Sequence, residues 1–167
     1  IRDIDIEDLL GRDIVPPDPD LMGACITGKS VMVTGAAGSI GSELCRQIVN
    51  LRPARRVLLD SFEFGLYDVE QELQNLHDSI NTGDDHERTE IIALLGNVCN
   101  RGLMEAAMKR FGVKTVYHVA AYKQVPMVEK NVVEGVHNNI FGTAVSAMVA
   151  QQCGIEHFVL ISTDKAV

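Results

Sequence analysis

The sequence has little positive charge: 15 Lys and Arg stand against 23 Asp and Glu, a formal net charge of −8. With no basic surplus to neutralise phosphate backbones, nucleic acid is not an expected partner. It also lacks any C-x-x-C pair. Cys25, Cys45, Cys99 and Cys153 are widely separated, which predicts reduced, mostly buried thiols and no metal centre. No apolar run approaches the ~20 residues a membrane span requires, and no signal-peptide pattern opens the chain. A soluble, cytoplasmic domain without membrane contact of its own is the expectation. Internal repeats and low-complexity tracts are missing too. What is present is 167 residues, 46% of them hydrophobic, enough to bury one substantial core and too apolar for a disordered chain.

Residues 1–29 read as an N-terminal arm or linker. "IRDIDIEDLLGRDIVPPDPDLMG" is acidic and then proline-rich, with a short apolar set at Ile4, Ile6, Leu9, Leu10 and Ile14, consistent with an extended arm or short helix lying on the domain. From Ser30 onward short apolar runs alternate with segments of helical period. The runs are Val31–Val33, Val57–Leu59, Ile91–Leu95, Thr115–Val119 and Phe158–Ile161. Helices are predicted from Ser39 to about Leu51, over Leu66–Ile80, over Leu103–Phe111 with a stop at Gly112, and from about Val132 to Cys153 with a stop at Gly154. Strands without polar alternation require burial on both faces. The pattern therefore predicts an α/β, doubly wound parallel sheet of about five strands with right-handed crossovers.

The segment "VMVTGAAGSIGSEL" follows the first strand and opens the first helix, with Gly35, Gly38 and Gly41 in G-x-x-G-x-x-G spacing. A tight turn, close approach of backbone to pyrophosphate and close helix–strand packing each need a residue without a side chain. Helix-terminal amides at Ser39 and Ile40 would then face phosphate. An acid, Asp60, ends the second strand 19 residues after Gly41. Its carboxylate can accept ribose hydroxyls and would repel a 2′-phosphate, and no arginine follows in Ser61-Phe62-Glu63 to welcome one. NAD is favoured over NADP. The same crevice would include Asn97 and Val98 after the third strand, Ala120, Ala121 and Lys123 after the fourth, and Asn139 from the Asn138-Asn139 pair, whose poor helix propensity suggests a task. His118 and His157 read as structural, and His77, His86 and His137 as solvated.

Together "VMVTGAAGSIGSELCRQI", "AAYKQVPMVE", "NNIFGTAVSA" and "FVLISTDKAV" resemble the extended short-chain dehydrogenase/reductase superfamily. More narrowly, they resemble its nucleotide-sugar 4,6-dehydratases of bacterial polysaccharide biosynthesis, which act on UDP-N-acetylglucosamine. "IDIEDLLGRDIV" resembles the segment that joins the membrane-spanning part of the larger members to their soluble part. The resemblance implies a Rossmann-type fold truncated before the substrate lobe, a homo-oligomer, and a larger parent anchored to the inner membrane with this domain on its cytoplasmic face. The chain departs from the family pattern at Gly96-Asn97, where "GD" is usual, and at Lys123–Pro126, where "KHVP" is usual.

The resemblance further implies a cycle in which hydride leaves C4 of the sugar, water is lost across C5 and C6, and hydride returns to C6. Thr163 would hydrogen-bond the C4 oxygen, Asp164 would be the general acid and Lys165 the general base. A basic Lys165 requires a depressed pKa and an acidic Asp164 a raised one. The resemblance places the superfamily's Tyr-x-x-x-Lys pair shortly beyond Val167, outside this chain, so this chain is expected to bind NAD without turnover. Alternatives are a nucleotide-sugar epimerase or reductase of the same superfamily, a non-catalytic NAD-binding regulator, and an interaction domain that has lost nucleotide binding.

Overall fold

The computed structural model describes residues 18–80 and 89–162. In chain order the elements are α1 (Pro19–Ile26), β1 (Ser30–Thr34), α2 (Ser39–Val49), β2 (Arg55–Asp60), α3 (Glu63–Ile80), β3 (Glu90–Leu95), α4 (Arg101–Arg110), β4 (Val113–His118), α5 (Val125–Lys130), α6 (Val132–Val136), a π-helical turn (His137–Phe141), α7 (Gly142–Gln152) and β5 (His157–Leu160). All strand pairs are parallel, in the spatial order β3-β2-β1-β4-β5. The order reverses at β1, between β2 and β4. A parallel doubly wound sheet opens its crevice at the carboxyl ends of the strands where this reversal occurs.

Burial falls outward from the middle of the sheet. Every residue of β1 is buried, whereas β3 is only half-buried and its ends are exposed. Successive side chains of a strand face opposite ways, so each central strand feeds two cores. Val31 and Val33 of β1 and Leu58 of β2 meet Cys45 and Ile48 of α2 and Leu66, Val69 and Leu73 of α3. Met32, Val57 and Leu59 meet Met104, Ala107 and Met108 of α4 and Val149 and Ala150 of α7 on the other face. The absence of polar alternation in the sequence reflects this two-sided covering.

Ile26 at the end of α1 is fully buried in the first of these cores. Gly28 donates to the Arg52 carbonyl (3.0 Å) and Ala54 to the Lys29 carbonyl (2.9 Å). The second half of the proline-rich segment is therefore packed onto the sheet, while residues 1–17 lie outside the described residues. Gly112 and Gly154, the expected helix stops, both have positive φ (58° and 67°), the left-handed C-terminal geometry that glycine adopts at least cost.

Candidate functional site: a crevice at the carboxyl ends of β1, β2 and β4

The glycine loop leaves β1 through Gly35, which has φ +71° and faces the chain leaving β4; a Cβ there would come within 2.7 Å of the Ala120 nitrogen. Both conformation and space therefore demand glycine. At Gly41 a Cβ would run into the Gly35 carbonyl, so α2 begins pressed against the turn that precedes it. The loop is held to β2 by Gly35 donating to the Leu59 carbonyl (2.8 Å) and is closed by Gly38 donating to the Gly35 carbonyl (3.1 Å). Gly38 also occupies the N-cap of α2 and offers no side-chain acceptor. The first-turn amides of Ser39, Ile40 and Gly41 have no carbonyl a turn earlier to bond, so this end of α2, next to the crevice residue Gly38, carries donors outside the helix ladder and the positive end of the helix dipole.

Asp60 closes one side. Its Oδ2 accepts from the Ala37 amide (2.9 Å) and its Oδ1 from the Phe62 amide (2.9 Å), while its carbonyl accepts from Gly96 (2.8 Å). One half-buried carboxylate thus joins the glycine loop to the turn after β2, and each oxygen keeps acceptor capacity for a ligand hydroxyl. The Phe62 side chain is 58% exposed at the crevice rim. Asn97 sits beside it; its Oδ1 accepts from Cys99 (2.8 Å), leaving the NH₂ group as the end able to serve a ligand. Val98 is buried where the crevice floor meets α7, and a Cβ at Gly142 would come within 2.8 Å of it.

The other wall is the loop after β4. Ala120, Ala121 and the Tyr122 backbone line it. Lys123 reaches across to the start of α2, its ammonium 3.0 Å from Ser39 Oγ, which adds a full positive charge where the helix dipole already favours an anion. Asn139 reaches back from the π-helical turn. Its Oδ1 accepts from the Tyr122 amide (2.8 Å) and its Nδ2 donates to the Tyr122 carbonyl (3.0 Å), with a further donor from Asn138 (3.0 Å). The amide of Asn139 thus clamps a loop backbone as a neighbouring strand would. An Asn pair inside an apolar helix pattern marks this in the sequence. The Ala37 amide and the Tyr122 backbone leave no such mark, because their contribution is made by main-chain atoms.

Of the crevice residues expected from sequence, the structure brings Gly35, Gly38, Asp60, Asn97, Val98, Ala120 and Ala121 around one cavity, with Ser39, Gly41, Lys123 and Asn139 bracing its edges. Ile40 is 54% exposed at the start of α2. Thr163, Asp164 and Lys165 lie outside the described residues. Among the described residues no cluster of three His, Cys, Asp or Glu could hold a metal ion, and no helix is long and apolar enough to cross a membrane.

A family model described as polysaccharide biosynthesis protein matches residues 31–167. Over all 167 residues the chain is 40% identical to the capsular polysaccharide biosynthesis protein CapD of Staphylococcus aureus, covering 26% of that protein. It is 42% identical over the same length to the probable polysaccharide biosynthesis protein EpsC of Bacillus subtilis, covering 27% of it. The chain thus spans about a quarter of the length of these curated relatives. It is also 34% identical over 139 residues to an uncharacterized membrane protein of Methanocaldococcus jannaschii, covering 83% of this chain and 37% of that one. Among solved structures, a UDP-glucose 4-epimerase from Stenotrophomonas maltophila, with bound NAD and formylated UDP-arabinopyranose, superposes with a TM-score of 0.70 at 24% identity, covering 82% of this chain and 38% of that one. A dTDP-glucose 4,6-dehydratase from Streptomyces venezuelae, also with NAD bound, superposes with a TM-score of 0.59 at 24% identity, covering 77% and 38%. The fold is that of these NAD-containing enzymes.

Proposed function

The chain belongs to the polysaccharide biosynthesis protein family, and from that premise we propose that it is the NAD-binding part of a nucleotide-sugar 4,6-dehydratase acting on UDP-N-acetylglucosamine. The observation that carries the cofactor assignment is the crevice itself. Gly35 is pressed against the Ala120 backbone, the uncapped start of α2 is braced by Lys123, and Asp60 faces both across one cavity. Backbone amides and an ammonium suit a pyrophosphate. A carboxylate that already orients the loop suits ribose hydroxyls and disfavours a 2′-phosphate, so NAD is the better fit.

When bound, NAD would supply reversible hydride transfer to and from the sugar. The chain's own residues supply the proton chemistry. Thr163, Asp164 and Lys165 follow closely on Leu160, the last residue of β5, and β5 lies beside β4. In this reading Thr163 hydrogen-bonds the C4 oxygen, Asp164 protonates the departing C6 hydroxyl and Lys165 removes the C5 proton. A neutral Lys165 and a protonated Asp164 would both need a site that excludes water, since side by side in water they would form an ion pair. The resemblance of the opening segment to the one that joins membrane-spanning and soluble parts in larger members, and the likeness to a membrane protein, support a parent anchored to a membrane; in this reading the domain lies on the cytoplasmic face.

Product analysis of the full-length protein tests the reading. Incubation with UDP-N-acetylglucosamine is expected to give a UDP-4-keto-6-deoxy sugar without consumption of added NAD. A C4 epimer that retains its C6 hydroxyl would overturn the dehydratase assignment.

A further inference from the structure

The His118 ring is 1% exposed and lies beneath the crevice rather than in it. Its Nδ1 is 2.7 Å from Thr34 Oγ1 and its Nε2 is 3.1 Å from Thr143 Oγ1. Thr143 in turn donates to the Asn139 carbonyl (2.7 Å). A hydroxyl has one hydrogen, so Thr143 must accept from His118 Nε2–H. Burial disfavours a second proton on the ring, and in the neutral ring Nδ1 accepts from the Thr34 hydroxyl. Every bond in the chain has one direction.

Both ends of this buried chain reach the crevice. Thr34 immediately precedes Gly35. Asn139 holds the backbone of Tyr122 by both N–H and C=O, and the next residue, Lys123, bonds Ser39 at the start of α2. The circuit runs from the glycine loop through His118, Thr143, Asn139, Tyr122 and Lys123 back to the glycine loop. A wide π-turn, a form often found at functional sites, carries Asn139 within it. For packing alone, an apolar ring against Phe158, whose centroid is 5.9 Å away, would serve. A hydrogen-bonded network rooted in a buried ring instead specifies one arrangement of the parts it joins.

We infer that His118 is a positioning residue which, through Thr143 and Asn139, sets the spacing of the 120–123 loop from the glycine loop and thereby the affinity of the crevice for a dinucleotide. The affinity part rests on the cofactor reading above; the spacing part does not. The test is Thr143→Val, which keeps the branched shape and removes the acceptor, with Thr143→Ser as the conservative rescue and Asn139→Ala as a cut one step later in the circuit. Two quantities are read on the chain: hydrogen exchange of the Tyr122 amide by NMR, and the Kd for NAD⁺ by calorimetry. Thr143→Val and Asn139→Ala are each expected to speed Tyr122 exchange and weaken NAD⁺ by about tenfold or more, the first through loss of the acceptor for His118 and the second through loss of both bonds to Tyr122. Exchange in β1 should stay unchanged, and Thr143→Ser should remain within about twofold of the parent. Unchanged Tyr122 exchange in Thr143→Val, equal damage from Thr143→Ser, or faster exchange with an unchanged Kd would each overturn the inference. Failure of the parent chain to bind NAD⁺ would overturn the cofactor reading and the affinity part with it, and Tyr122 exchange would then decide the spacing alone.

Discussion

Asp60 Oδ2 lies 2.9 Å from the Ala37 amide nitrogen, so the carboxylate that ends β2 and the glycine loop that follows β1 form one unit before any ligand arrives. The residue we propose to select a ribose is thereby also the residue that shapes the glycine loop. Asp60→Ala is expected to weaken NAD⁺ by at least about tenfold through loss of charge-assisted hydrogen bonds. It should also narrow the gap between NAD⁺ and NADP⁺. Calorimetric titration of the variant with both cofactors checks this, and an unchanged preference would remove Asp60 from the selection.

Gly35→Ala combines two penalties. The residue has φ +71°, and its new Cβ would sit 2.7 Å from the Ala120 nitrogen. Left-handed backbone costs about 1 kcal/mol and overpacking about 1–3 kcal/mol more. Gly112→Ala supplies the contrast, since Gly112 has φ +58° with nothing within 4 Å of a Cβ; only the first cost of about 1 kcal/mol applies there. Urea unfolding of the pair measures the difference, which is the energetic signature of the close approach at Ala120.

Burial pushes His118 down to about 4. Its folded pKa lies below the unfolded value, so between about pH 6.5 and 4 the unfolded chain takes up a proton that the native chain refuses. Stability contributed by neutral His118 is fully present above that window and falls as pH drops through it, by about 3 kcal/mol in all. Its ring resonances should titrate near pH 4 in the folded chain. A midpoint near 6.5, the ordinary histidine value, would contradict the closed network around it.

Arg56 of β2 is 3% exposed, and its Nε and Nη1 atoms have no hydrogen-bond partner among the described residues. Burial pushes the guanidinium down to about 10, and it also pushes the neighbouring Cys45 thiol up to about 12, which keeps that thiol neutral. A buried cation without a counter-ion among the described residues is a cost, so Arg56→Met is expected to stabilise the fold by about 1–3 kcal/mol. A lower urea midpoint in the variant would show that the guanidinium has an anionic partner.

The sheet was legible in the sequence because central strands buried on both faces leave unbroken apolar runs. All five fall within two residues of their expected ends. The long helices were legible from period and glycine stops. The helix before residue 132 and the π-turn within the fourth predicted helix were not. That predicted helix starts at Val132, as α6 does, but α5 precedes it and is only six residues long, too short to show a period. The π-turn at His137–Phe141 adds a residue per turn, which a 3.6-residue template cannot register. At the site, glycines and an acid announced themselves by type. Asn139 announced itself as an Asn inside an apolar helix pattern, but its partner Tyr122 did not, because it is held by main-chain atoms, and His118 reads as a core histidine until the two threonines on either side of it are placed in space.

Titrating the chain with NAD⁺ and, separately, NADP⁺ in a calorimeter tests the central claim most directly. A single NAD⁺ site, with NADP⁺ clearly weaker, is the expected result if the glycine loop, Lys123 and Asp60 together hold the dinucleotide as proposed. Heat of binding from neither cofactor, or equal affinity for both, would contradict the account.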